Sequence, residues 1–117
     1  MMKTRTKLLL PLMLLCIAVF ALALTASAAT YSGTCGDNLK WTLDTSTGVL
    51  EISGTGAMLS YSFGSPAPWE SYYSSIKTVK IAKGVTRIGS EAFRSCYNLT
   101  SITIPDSVCG IGYQAVL

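Results

Sequence analysis

The side chains able to do chemistry in this 117-residue chain are few and scattered. Histidine is absent, which removes the Ser–His and Cys–His nucleophile pairs and the imidazole general base. The cysteines are Cys16, Cys35, Cys96 and Cys109, with no C-x-x-C pair among them. With no imidazole to complete a tetrahedral donor set, a zinc centre has little support. Glu51, Glu70, Glu91 and the three aspartates fall in separate stretches, so no paired-carboxylate acid and base are in view. Gly54-Thr55-Gly56 resembles the start of a dinucleotide fingerprint, but Leu59 stands where the third glycine belongs and no helical pattern follows. It reads as a backbone turn. Asn98-Leu99-Thr100 fits the glycosylation acceptor pattern, yet Asn98 fits better as a turn residue. These observations predict no catalytic residue, no metal site and no cofactor.

One stretch carries a different kind of chemistry. Between Ser60 and Ser75 a Ser-, Gly- and Pro-rich loop holds Tyr61, Phe63, Trp69, Tyr72 and Tyr73. Clustered rings can stack on sugars, or they can plug the open end of a small core, where each buries ~150–250 Å². A chain this short needs that area, which favours packing and leaves carbohydrate as the lesser reading.

The amino terminus has the three parts of a secretory signal peptide. Lys3, Arg5 and Lys7 precede an uncharged apolar run from Leu8 to Leu24, and Ala26-Ser27-Ala28 matches an A-x-A cleavage site. The alternative, a retained anchor, is disfavoured because the run is near the short limit for a span. Leu14 and Leu15 before Cys16 argue against lipidation. The expectation is therefore a signal peptide over 1–28, cleaved near Ala28, and a secreted or cell-surface product with no stable membrane span. The remaining chain has six cations and six acids. The basic excess belongs to the leader, so no patch is left to attract nucleic acid. Three cysteines then remain, and an odd number leaves at least one thiol unpaired. One bridge plus a free thiol, or three thiols acting as small apolar groups, both fit.

The elements that would position these residues are mostly strands. Leu39, Trp41 and Leu43 alternate with Lys40 and Thr42; after the turn-rich Asp44–Gly48, Leu50 and Ile52 alternate with Val49 and Glu51. Two such runs around a loop predict a β-hairpin. Downstream, "IKTVKIAKGVTRIGSEAF" (76–93) and "LTSITIPDSVCGIGYQAV" (99–116) align at an offset of 23 residues. Ile76/Leu99, Val79/Ile102, Ile81/Ile104, Val85/Val108, Ile88/Ile111, Ala92/Ala115 and Phe93/Val116 are apolar in both copies, and Gly89 pairs with Gly112. A 20–29-residue period opening on L-x-x-L-x-L is the signature of leucine-rich repeats. The spacing predicts that Val79, Ile81, Ile102 and Ile104 face inward on parallel strands, while Thr78, Lys80, Ser101 and Thr103 face outward. Ala82 and Pro105 end the strands, Val85 and Ile88 turn back inward, and Ser90 is placed to cap a helical turn over Glu91–Arg94.

The run "GVTRIGSEAFRSCYNLTSITIPDSVCGIGYQA" resembles the BspA-type bacterial leucine-rich repeat. "YSGTCGDNLKWTLDTSTGVLEISGTGAM" and "APWESYY" are similar to the segment that often precedes such repeats in exported bacterial proteins. Cys109 departs from the usual Thr or Ser, and Val116-Leu117 stands where the family has Ala-Phe and further units. The resemblance implies a mostly β leucine-rich repeat solenoid: an N-terminal β cap segment over 29–75, then a repeat segment over 76–117 of under two units. It implies an interaction or adhesion module that binds a protein of a host or neighbouring cell, with Thr78, Lys80, Ser101 and Thr103 as candidate contact residues. The alternatives are the N-terminal part of a larger surface enzyme or carbohydrate-binding protein, or a spacer without a ligand. Solenoids need about three repeats and a polar end cap, so the sequence reads as a fragment that is marginally stable or self-associating.

Overall fold

The computed structural model describes residues 29–116. The leader expected over 1–28 lies outside the described residues, as does Leu117. Eight strands follow in order: β1 (Thr30–Gly36), β2 (Leu39–Asp44), β3 (Val49–Gly54), β4 (Gly56–Ala57), β5 (Thr78–Ile81), β6 (Val85–Ile88), β7 (Ser101–Thr103) and β8 (Gly110–Ile111). A kinked pair of 3₁₀ turns over Glu70–Ser75 sits between β4 and β5.

The alternation of Leu39, Trp41 and Leu43 with polar residues builds the predicted hairpin. β2 pairs antiparallel with β3, Leu43 opposite Leu50 and Trp41 opposite Ile52, so the apolar side chains share one face. Asp44 closes the loop by accepting from the Ser46 backbone N–H at 2.9 Å and from its hydroxyl at 2.6 Å. These bonds to the charged form hold its carboxyl below the usual range. β1 adds a third antiparallel strand on the outer edge, which the glycine-rich sequence did not announce.

β3 serves two neighbours of opposite sense. Along one edge it closes the hairpin; along the other it pairs in parallel with β5, Leu50 beside Val79 and Ile52 beside Ile81. β5 then pairs in parallel with β7, Thr78 beside Ser101 and Val79 beside Ile102, the register that the 23-residue offset predicts. The first sheet therefore runs β1-β2-β3-β5-β7, and β4-β6-β8 form a second, wholly parallel sheet. Each long and short strand pair makes one rung, and the described residues form three: β3–β4, β5–β6 and β7–β8.

Turns close the third side, stacking through backbone bonds from Tyr61 N to Ser90 O (2.9 Å), Glu91 N to Tyr113 O (3.0 Å) and Phe93 N to Ala115 O (2.9 Å). Close approach here requires Gly89 and Gly112. A Cβ on the first would run into the Leu59 carbonyl, and one on the second into the Ser90 backbone.

The core lies between the two sheets and the turns. Val79, Val85, Ile88, Trp69 and Ile76 are fully buried, and no polar or charged residue is buried among the described residues. Trp69 sits at its centre. Its ring meets Trp41 and Tyr61 edge-on at 5.8 and 5.9 Å and stacks on Phe93 at 5.8 Å, while Nε1 donates to the Ala92 carbonyl at 2.8 Å.

Two expectations are corrected. No helical turn forms over Glu91–Arg94; the segment is a chain of turns with Glu91 at φ 51° and Ser95 at φ 66°. Ser90 consequently caps no helix, and its hydroxyl accepts from the Tyr113 backbone N–H in the next rung at 3.2 Å. The apolar positions of the last rung are also less covered than their pattern implied. Ile102 and Val108 are half-buried, while Ile104 is 40% and Ile111 54% exposed, and Val116 is exposed too. Periodicity dictates where a side chain points; burial also needs a neighbouring rung, and β7–β8 has one on a single side among the described residues.

Candidate interaction surface

Alternation in the first sheet sends every second side chain outward. Lys80, Ser101 and Thr103 are exposed and Thr78 is half-buried. The parallel register sets Thr78 beside Ser101 and Lys80 beside Thr103, so the four candidate contact residues form one patch. The patch continues onto the hairpin. Thr42, Glu51, Lys80 and Thr103 make one row across four strands, and Asp44, Val49, Thr78 and Ser101 make another. The hairpin residues of these rows were not singled out from the sequence. Their outward direction was readable, but the parallel union of β3 with β5 was not.

The face is mostly polar and evenly charged: Lys40 and Lys80 against Asp44 and Glu51. Its size can be bounded. Five strands ~4.8 Å apart and about four residues at ~3.3 Å give a face of about 300 Å². A specific interface buries ~800 Å² on each partner. The sheet face alone therefore supplies under half of a standard contact.

The aromatic loop divides. Trp69 is buried and Tyr61 and Tyr72 are half-buried, Tyr72 stacking on Tyr31 at 4.0 Å, whereas Phe63 is 80% and Tyr73 41% exposed. Packing accounts for the first three, and the last two point to solvent.

All three cysteines of the described chain are free. Burial pushes the Cys35 thiol up to about 11. In Cys96, burial and then the charge of Glu70 push it to about 11 as well. Such thiols stay protonated and unreactive at neutral pH. Cys109 is exposed; its Sγ lies 3.5 Å from the Thr86 carbonyl, in the way that Thr100 Oγ1 lies 3.1 Å from Lys77 O just before β5. The cysteine thus fills a hydroxyl's place. No grouping of Cys, Asp and Glu able to hold a metal ion occurs among the described residues, and no helix there is long and apolar enough to cross a membrane.

Strands stacked in parallel, the last two rungs at an offset of 23 residues, with an outward polar face, define a repeat protein of the leucine-rich class. Residues 70–116 match the family model for the BspA type leucine rich repeat region (6 copies). The chain is also similar to a leucine-rich repeat protein from Eubacterium ventriosum ATCC 27560, known from a crystal structure at 2.50 Å resolution, with 38% identity and a TM-score of 0.70. That match covers 75% of this chain and 23% of the other, so the chain spans less than a quarter of that protein's length. Comparison with curated protein sequences gives no match. Over residues 70–116 the chain is therefore similar to BspA-type leucine-rich repeat regions.

Proposed function

We propose that the chain is a secreted or cell-surface interaction module that binds a protein on a host or neighbouring cell and carries out no catalysis itself. In this reading residues 1–28 are a cleaved signal peptide, 29–75 an N-terminal β cap segment, and 76–117 a leucine-rich repeat segment of a solenoid. β1 and β2 support the cap, because they turn the edge of β3 away from solvent at one end of the stack. The family supports the surface location, since BspA-type repeats are typical of bacterial surface proteins.

The observation that carries the reading is the continuous polar sheet face on which Thr78, Lys80, Ser101 and Thr103 converge. Its balanced charge favours a protein partner met through hydrogen bonds over a polyanion. Its area of about 300 Å² implies weak contact per molecule, strengthened when many copies are displayed together.

The test is retention of cells on beads bearing the full chain, before and after the cells are stripped with a protease. Retention should be protease-sensitive and should fall at least fivefold in the double variant Lys80→Glu, Thr103→Arg, whose melting temperature stays within a few degrees of the parent. Retention unaffected by the double variant would remove the sheet face as the contact surface.

A further inference from the structure

On the turn side of the stack, away from the outward sheet face, a cleft of about 430 Å³ is lined by Phe63, Glu91, Arg94, Ser95, Tyr97 and Gln114. This volume lies within the ~300–1,000 Å³ usual for small-ligand sites. We propose that this cleft is a saccharide subsite that takes a neutral pyranose unit of a glycan, separate from any protein contact on the sheet.

Its most unusual member is Phe63. Ser62 and Ser65 exchange both backbone hydrogen bonds, at 3.0 and 3.1 Å, so Phe63 and Gly64 form the tip of a tight turn. The ring there is 80% exposed, yet it is held: the Arg94 guanidinium lies 3.7 Å from its centroid and covers one face. Most of the rest of the ring is open to solvent. Across the cleft Tyr97 is 82% exposed, and Tyr73 meets it at 89° with centroids 6.2 Å apart. Two aromatic rings are thus fixed in place without being buried.

The groups between the rings are planar and polar. Arg94 is neutralised by Glu91, Nη1 to Oε1 at 3.2 Å, so the cleft offers donors and acceptors with no free cation to attract phosphate. Gln114 holds the position equivalent to Glu91 in the next rung and adds an amide with two donors and an acceptor. Glu91, Ser95 and Gln114 adopt φ of 51°, 66° and 49°, and among the described residues they are the non-glycine residues with positive φ. All three line this cleft. The repeat's turn explains why Glu91 and Gln114 share a conformation, but glycine would satisfy that turn with less strain. Retaining Glu and Gln there keeps hydrogen-bonding side chains facing the cleft.

A pyranose ring matches this arrangement: its C–H face lies on an aromatic ring and its hydroxyls pair with carboxylate, guanidinium and amide edges. A proline-rich peptide would need continuous aromatic or apolar lining, which Glu91, Arg94 and Gln114 interrupt.

The test is ¹H NMR titration of the exported full chain with cellotriose, chitotriose and mannotriose in turn. At least one should shift the Phe63 and Tyr97 ring signals saturably, at millimolar concentration or below. Phe63→Ala and Tyr97→Ala should each weaken that binding at least tenfold with an unchanged melting temperature, while Phe63→Trp retains it. Thr103→Ala, on the sheet face, should leave it unchanged. The proposal is overturned if none of the three sugars binds, if Phe63→Ala binds as the parent does, or if decaproline saturates the same signals and the sugars do not.

Discussion

Trp69 is the side chain on which the packing most depends. It touches β2 through Trp41, the aromatic loop through Tyr61 and the turn side through Phe93, and it satisfies the Ala92 carbonyl. Trp69→Ala should cost about 3–5 kcal/mol in urea unfolding. Trp69→Phe, which keeps most of the ring but leaves that carbonyl unpaired, should cost about 1–3 kcal/mol. The thiols give a pH prediction. Cys35 and Cys96 ionise near 9.0 in the unfolded chain and about 11 in the folded one. Between those values the unfolded chain has released protons that the folded chain keeps, so stability is full below pH 9 and falls as pH rises toward 11. The urea midpoint should therefore drop between pH 8.5 and 10.5, and Cys35→Ala should shallow that slope. Equal slopes would mean that other groups dominate alkaline unfolding. At this scale the sequence was an uneven guide. It could show that five rings cluster in one loop, but the sorting of Trp69 inward and Phe63 outward depends on Trp41, Phe93 and Arg94, partners distant in the chain with no local signal.

Among elements, identical residues at equivalent repeat positions have different surroundings. Ile88 in β6 is fully buried, while Ile111 in β8 is 54% exposed. Ile88→Ala should cost about 2–5 kcal/mol, whereas Ile111→Ala should stay below about 1 kcal/mol, since little of its area leaves water. Gly89→Ala, which would force a methyl against the Leu59 carbonyl, should cost about 1–3 kcal/mol through overpacking. Equilibrium denaturation of the three variants checks the set. The hairpin and the β5–β7 register were legible because two-residue alternation and a fixed offset record strand direction and alignment directly. The parallel pairing of β3 with β5 was not. The loop between them, from Leu59 to Ser75, breaks the repeat pattern, so the first rung looked like part of the hairpin alone. The supposed helical turn failed for a related reason: Ser before Glu suits a helix start, but the Glu91 and Phe93 N–H groups donate to the next rung, leaving only isolated turn bonds between them.

For the whole molecule, what matters is that the two ends of the stack differ. At the hairpin end, the outer strand β1 presents mostly Ser, Thr and Gly. At the other, among the described residues, β7 and β8 leave strand edges open beside exposed Ile104, Ile111 and Val116. Open edges flanked by apolar side chains favour association. Sedimentation of the parent chain should show mass rising with concentration over the micromolar range, and the variant Ile104→Lys, Ile111→Lys should remain at one mass. A parent that stays at one mass would show that this end is not sticky. The outward sheet face was largely foreseeable, because polar residues alternate along every strand. The cleft on the turn side was not, because it assembles Phe63, Glu91, Arg94 and Gln114 from segments that meet only after the rungs have stacked.

The hydrogen bonds between successive rungs have a genetic corollary. Thr100 bonds to Lys77, Cys109 to Thr86 and Gly84 to the Ser107 hydroxyl, each across 23 positions. Copying 23 codons in tandem would supply a rung whose donors find acceptors already waiting, with no junction to redesign. A copy one codon shorter would turn the strand's greasy side chains toward water. The stack can thus lengthen or shrink by unequal crossing-over, leaving the hairpin and the packing within each unit untouched.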